Sequence, residues 1–358
     1  MNHTPPPAMA SRLPGSTSPR LWPCLAGQAP TAGQAPTAGL APTGLAERLG
    51  RLTSPALADH VFPGRVDPAI AREARLLNRF RRAAGLRWAR RLDQAGIPVV
   101  CLKGLGTAYL AYRDPDLRGL SDADLLIRPA DLDRALELLE GDGFRFAEAR
   151  TRSPWGFVGE ASFQPLMSRD GGTNLDLHIQ PDAWPLPLGL DGGAVFRAAR
   201  RIETETGAIT VPAAEHAFLI AVSHAARDLF GQAAIKGLID AARLVAGAQG
   251  ALDWAEIRDR AQRGRIARPL RIVLALFRGL GIAVPAAAGP AAVPAGAEYR
   301  RLGRDLETLF ENGAEVEPGR LAKLRREWLL AAEPGVALRR NLRRLGGLIR
   351  PGTGLPKV

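Results

Sequence analysis

The sequence predicts an α+β fold, a mixed sheet flanked by helices and followed by a helical domain. Three observations predict it. Short apolar runs alternate with helical periodicity between about residues 65 and 205, acidic side chains alternate with apolar ones in two of those runs, and beyond Pro212 the pattern is almost wholly helical. A chain of 358 residues has room for about two domains. A hydrophobic share of 46% is enough to bury a core.

Residues 1–64 read as a disordered leader rich in Pro, Gly and Ala, with GQAPTA at 27–32 repeated at 33–38 and followed by GLAPTG at 39–44. Such composition offers too little apolar surface to offset the entropy of ordering. An α/β domain is expected over 65–205. It opens with a helix from Asp67 to Gln94, where Asp67 is a capping residue and Pro68 takes the first helical position. Ile70, Leu76, Leu77, Phe80, Ala84, Trp88 and Leu92 recur at helical spacing as its core face. Ile97 to Leu102 reads as a buried strand, Lys103 to Tyr112 as a helix, Asp122 to Ile127 as a second strand and 129–140 as a helix. Several short strands follow over 143–180, of which Asn174 to Ile179 alternates most clearly. The helical domain is expected over 206–284, with helices near 213–229, 232–247, 253–262 and 266–280. A Pro/Ala-rich linker spans 285–297, and 298–358 forms a basic helical C-terminal region.

The formal net charge is +12, but its position matters. Residues 1–46 hold two arginines and no acid, and residues 334–358 hold six basic residues and no acid, leaving +4 over 47–333. The body is only mildly basic, so nucleic acid is not an expected partner. Cys24 and Cys101 make neither a disulfide framework nor a zinc cluster. No apolar stretch is long enough to span a bilayer and no secretory signal is present, so the protein is expected to be cytoplasmic.

The most informative segment is Arg118-Gly119-Leu120-Ser121-Asp122-Ala123-Asp124-Leu125-Leu126-Ile127. Side chains alternate along a strand, so Asp122 and Asp124 face the same way with Cα atoms roughly 6.6 Å apart. Two fixed carboxylates repel unless a cation lies between them. All-oxygen donors suit Mg2+ or Mn2+. A bare Asp-x-Asp is most often a solvated pair; here the apolar run behind it places the pair at a strand end beside the core. Alternation in Asn174-Leu175-Asp176-Leu177-His178 puts Asp176 and His178 together on one face. If that strand pairs with the first, Asp176 joins the same cluster, with His178 behind it. Lys103-Gly104, at a strand-to-helix junction, is placed to approach a phosphate.

This order of strand, Lys-Gly, helix, Arg-x-x-Ser-Asp-x-Asp and Leu-Asp-Leu-His resembles the bacterial uncharacterised nucleotidyltransferase family of the DNA-polymerase-β-like superfamily. The resemblance covers about residues 70–250 and is most specific at 118–127. It implies a nucleotidyltransferase-like sheet in which Asp122, Asp124 and Asp176 are metal ligands and catalytic carboxylates. Lys103, Gly104, Arg118, Ser121 and Lys236 would bind nucleotide, and His178, His224 and Asp240 would support them. Lys103-Gly104 departs from the Gly-Ser more usual ahead of the acidic pair. Lys236 and Asp240 are also spaced for a helical ion pair. The implied activity moves a nucleoside monophosphate from an NTP, ATP being expected, to an unidentified small-molecule or protein acceptor. The competing reading is a catalytically inactive protein of the same fold that binds a partner or nucleic acid, for which the basic C-terminal helix is the best support.

Overall fold

The computed structural model describes residues 18–28, 44–146, 157–158, 162–163, 166–167, 174–247, 251–289, 302–306, 308 and 320–349. Most of the Pro/Gly/Ala repeat at 27–44 and most of the expected linker lie outside them.

The expected leader does not hold where it is described. Helices α1 (Ser18–Leu25), α2 (Leu45–Leu52) and α3 (Pro55–Val61) lie within it. Trp22, Leu25, Leu49, Leu57 and Phe62 are buried in the same apolar cluster as the rest of the chain. Averaged composition hides them: Leu45, Leu49 and Leu52 share one helix face, inside a background of Pro, Gly and Ala. Ser54 caps α3 by accepting from the Ala56 amide, with Pro55 at the first helical position.

Helix α4 (Pro68–Gln94) begins as its sequence demands, with the Asp67 side chain accepting from the Ala69 amide. Its face is not the expected one. Leu92 and Ala84 are buried, but Ile70, Leu76, Leu77 and Phe80 stand exposed at 43–60%. The N-terminal half instead turns Asn78 and Arg82 inward, with Arg79 reaching Asp116 from the surface. Asn78 donates its amide to the Ser54 hydroxyl at 2.9 Å and the Asp116 carbonyl at 2.8 Å. Arg79 and Arg82 hold the Asp116 carboxylate, which is 4% exposed. This polar clamp fixes the segment that leads into the acidic strand.

The sheet follows from the short apolar runs. Strand β1 (Val100–Cys101) leads into α5 (Lys103–Ala111), and β2 (Asp122–Leu126) into α6 (Leu132–Gly141). Strands β3 (Arg145–Phe146), β4 (Phe157–Val158), β5 (Ser162–Phe163) and β6 (Leu166–Met167) are two residues each, and β7 (Asn174–His178) is the long central one. The sheet order is β1-β2-β7-β5-β4, with β6 also on β7 and β3 on β6. Only β2 and β7 run parallel, and the other pairs are antiparallel, so the sheet is mixed. The parallel register sets Asp122 beside Asn174, Asp124 beside Asp176 and Leu126 beside His178. Ala123, Leu125, Leu175 and Leu177 fill the opposite face and are buried.

After helix α7 (Gly192–Ala198) and the hairpin β8 (Arg200–Ile202)–β9 (Ile209–Val211), the chain is helical: α8 (Ala214–Arg227), α9 (Ile235–Val245), α10 (Trp254–Arg263) and α11 (Ala267–Gly279). Helix α8 is buried along nearly its whole length, as a helix apolar on all sides must be. One continuous apolar cluster joins these helices to the sheet. Helices at Arg320–Leu330 and Pro334–Ile349 close the described chain. No helix among the described residues is long and apolar enough to cross a membrane.

Candidate active site

The acidic face of β2 and β7 opens toward a cleft of about 430 Å³ between the sheet edge and helices α5, α8 and α9. Asp122, Asp124, Lys103, Gly104, Arg118, Ser121, His224, Lys236 and Asp240 all line it. Asp176 and His178 stand beside Asp124 on the neighbouring strand. The residues read from the sequence therefore meet in one region, though they do different things within it.

Asp124 is the hub. Its Oδ1 receives the Lys103 ammonium at 2.6 Å and His178 Nε2 at 2.8 Å. Burial pushes its carboxyl up, but Lys103 and His178 more than reverse this and hold it well below the usual carboxylate range. Because an ionised carboxylate only accepts, the proton of His178 lies on Nε2. Burial and the Lys103 charge lower the His178 pKa, keeping the ring neutral. Its Nδ1 is buried without a partner. His178 thus orients Asp124 through its one N–H.

Asp122 and Asp176 differ from Asp124. Asp122 accepts only from the Ser121 hydroxyl, at 3.1 Å, and burial with the Asp124 charge raises its pKa. Asp176 has no hydrogen-bond partner among the described residues. Burial first, then the charges of Asp124 and Asp122, push it up to about 7. These are carboxylates short of a cation.

Lys103 itself sits at φ +40, a region that side-chain-bearing residues rarely adopt. Thr107 on the next turn holds it there, donating from Oγ1 to the Lys103 carbonyl at 2.6 Å. Gly104 serves packing: a Cβ there would come 2.8 Å from Leu120 Cδ2 and 3.3 Å from the Arg118 guanidinium carbon.

Arg118 faces Asp240 rather than the open cleft. Its Nε lies 2.8 Å from Asp240 Oδ1 and its Nη2 lies 2.8 Å from Oδ2, a bidentate pair in which both side chains are nearly buried. Tyr112 donates to Asp240 Oδ1 at 2.8 Å and Thr107 Oγ1 stands 3.1 Å from Oδ2. Arg118 therefore braces the loop before β2 against α9. The helical ion pair of Lys236 with Asp240 is not formed, because Asp240 is engaged by Arg118. Lys236 stands in the cleft with no ion pair among the described residues, and burial and the Arg118 charge lower its pKa.

His224 is placed in the cleft, with Nε2 at 3.2 Å from Asp228 Oδ2 and Nδ1 against the Arg227 guanidinium. Arg227 can only donate, so Nδ1 accepts and Nε2 carries the proton toward Asp228. Burial and Arg227 hold the His224 pKa down to about 4. Three participants escaped sequence reasoning. Arg51, on a helix within the expected leader, lines the cleft. Arg227 pairs with the fully buried Asp182, just beyond β7, and Asp228 holds His224. The Leu45/Leu49/Leu52 periodicity was a signal for the helix bearing Arg51; nothing local pointed to the other two.

Carboxylate oxygens of Asp124 and Asp176 and a ring nitrogen of His178 lie within 4.8 Å of one another. Asp122 lies on the same face of β2 but outside that group, and the Nδ1 of His178 has no hydrogen-bond partner among the described residues. Two carboxylates with an imidazole beside them suit a divalent ion.

A family model described as uncharacterised nucleotidyltransferase matches residues 47–280, including the helices α2 and α3. An antigenic nucleotidyltransferase-like protein from Paracoccidioides brasiliensis, a solved structure, is 15% identical over 59% of this chain and 95% of its own, with a TM-score of 0.33. No curated protein matches the chain.

Proposed function

The chain belongs to the uncharacterised nucleotidyltransferase family, and from that premise we propose that it moves a nucleoside monophosphate from an NTP, ATP being the expected donor, to a small-molecule or protein acceptor at a divalent-metal centre. The observation that carries this reading is the in-register placement of Asp124 beside Asp176 on parallel strands, with Asp122 two residues away at the same cleft. Asp122, Asp124 and Asp176 would hold the metal. When bound, it supplies positive charge to the α-phosphate and the leaving pyrophosphate and lowers the pKa of an acceptor hydroxyl.

The protein's own groups do the rest. Lys236 lines the cleft and offers charge to the β- and γ-phosphates, with Arg51, paired to Glu47 at 2.6 Å, as a second cation of the lining. Lys103 keeps its ammonium on Asp124. Neutral His178 keeps Asp124 in one orientation, so the metal-facing oxygens are preorganised. The Arg118–Asp240 pair ties the loop before β2 to α9, which keeps the acidic strand and Lys236 at a constant separation. Leu52, Leu120 and Ile220 supply apolar walls.

The test uses thermal shift and label transfer. NTP with Mg2+ should raise the melting temperature of the wild type and leave the Asp122→Asn/Asp124→Asn variant unmoved. Equal shifts in both would remove the metal site from the argument. With cell extract as acceptor source, label should transfer from the α-phosphate of the NTP. Transfer from the γ-phosphate alone would make the protein a kinase instead.

A further inference from the structure

We propose that the Lys103 ammonium stands in for one of the two divalent ions that three converging carboxylates would otherwise take up, so that this centre operates with a single divalent ion. The inference rests on the nucleotidyltransferase reading above and deepens it.

Position comes first. Lys103 Nζ lies 2.6 Å from Asp124 Oδ1 and 3.5 Å from His178 Nε2, inside the acidic cluster and not at its rim. With His178 on the same oxygen, Asp124 Oδ1 is fully engaged. Asp124 Oδ2, both oxygens of Asp176 and one oxygen of Asp122 have no hydrogen-bond partner among the described residues. Asp124 Oδ1 is thus taken by the ammonium and the imidazole N–H, and a cation is left Asp124 Oδ2 and the oxygens of the neighbouring aspartates.

Competition comes second. A second divalent ion that used Asp124 Oδ1 would have to displace the Lys103 ammonium and the His178 N–H that already hold that oxygen.

Third, the posture of Lys103 is built. Its backbone is left-handed at φ +40, and strain of this kind persists only where the surroundings over-determine it. The Thr107 hydroxyl supplies that hold at the Lys103 carbonyl, and Thr107 is itself 3% exposed. The lysine side chain is 20% exposed, far from the freedom of a surface lysine. The chain thus keeps an unfavourable backbone that aims an ammonium at Asp124.

In the transfer, the acceptor hydroxyl would give its proton to solvent and its oxygen form a bond to the α-phosphorus as the bond from that phosphorus to the bridging oxygen breaks, pyrophosphate leaving with the electron pair. Lys103 can neutralise charge on the phosphates and donate hydrogen bonds to them. It cannot act as a Lewis acid on the acceptor, which is left to the single ion at Asp122, Asp124 and Asp176.

The experiment counts Mn2+ bound to the full chain saturated with α,β-methylene-ATP, by equilibrium dialysis and by electron paramagnetic resonance. The wild type should hold one Mn2+ per chain with a mononuclear spectrum. Lys103→Met should hold two, with the spectrum of a spin-coupled pair, and Lys103→Arg, which keeps the charge, should stay at one. A spin-coupled pair in the wild type would overturn the proposal while leaving the metal-centre reading intact, and it needs no variant to fold. A mononuclear Lys103→Met protein, or a pair in Lys103→Arg, would also overturn it. No bound Mn2+ in the wild type would overturn both this proposal and the reading beneath it.

Discussion

Replacing Asp176 with Asn should stabilise the metal-free protein at alkaline pH, although it removes a residue central to the site. An aspartate in the unfolded chain ionises near 3.8, whereas Asp176 in the folded chain keeps its proton up to about 7 because of burial and the charges of Asp124 and Asp122. Between these values the folded protein binds a proton that the unfolded chain does not. Stability contributed by this group therefore falls as pH rises from about 4 to about 7, and remains lost above. At about 1.4 kcal/mol per tenfold change in proton affinity, the full span is roughly 4 kcal/mol. Asp176 keeps some access to solvent, which screens the effect to about 2 kcal/mol. Asn keeps the size without the charge. In a chelator, Asp176→Asn should melt about 5 °C above the wild type at pH 8, with the gap narrowing as pH falls and closing near pH 4. Millimolar Mg2+ should then raise the wild type and not the variant. A variant that melts at or below the wild type at pH 8 in chelator would refute the view that this cluster lacks a counter-charge.

Three further outcomes follow from the same geometry. Arg118→Met should cost about 3–5 kcal/mol in urea denaturation by leaving Asp240 buried and unpaired, and Arg118→Met/Asp240→Leu should recover much of it; a loss under about 1 kcal/mol would contradict the bracing role. Lys236→Met should weaken binding of a fluorescent NTP by roughly tenfold with an unchanged melting temperature, the expected loss of one charge-assisted contact; unchanged affinity would place the triphosphate elsewhere. Removal of residues 1–64 should abolish cooperative unfolding, since Leu49, Leu57 and Phe62 leave cavities costing about 2–5 kcal/mol each; a fragment melting like the full chain would mean that these helices contribute nothing to the core.

What could be read in the sequence is what depends on short-range periodicity. Asp122 and Asp124 fall on one face because strands alternate, and Asp176 joins them because Leu-Asp-Leu-His has the same period and its apolar partners seek the same core. Periodicity cannot choose between two faces of a helix when both can be buried. In α4, Ile70, Leu77 and Phe80 lost to Asn78 and Arg82 because the loop at Asp116 offers those polar groups partners far along the chain, 38 residues away for Asn78. Composition failed in a similar way at the N-terminus, where a Pro/Gly/Ala average outweighed the few leucines of α2 and concealed Arg51.

Charge pairing across long separations was the least legible of all. Arg118 and Asp240 are 122 residues apart, so the sequence offered each a closer role: Arg118 a phosphate, Asp240 its helical neighbour Lys236. Once the two meet, both local roles lapse, and Lys236 is left as a cation in the cleft. The same holds for Lys103. At a strand-to-helix junction a lysine before glycine suggests phosphate, and only the parallel register of β2 and β7 shows that three carboxylates converge within reach of it. Lys103 meets a buried aspartate at 2.6 Å, so its ammonium is already held by the cluster before any phosphate arrives. The departure from the usual Gly-Ser is thus a change in where the site keeps its positive charge: a residue of the chain carries part of what would otherwise have to come from solution.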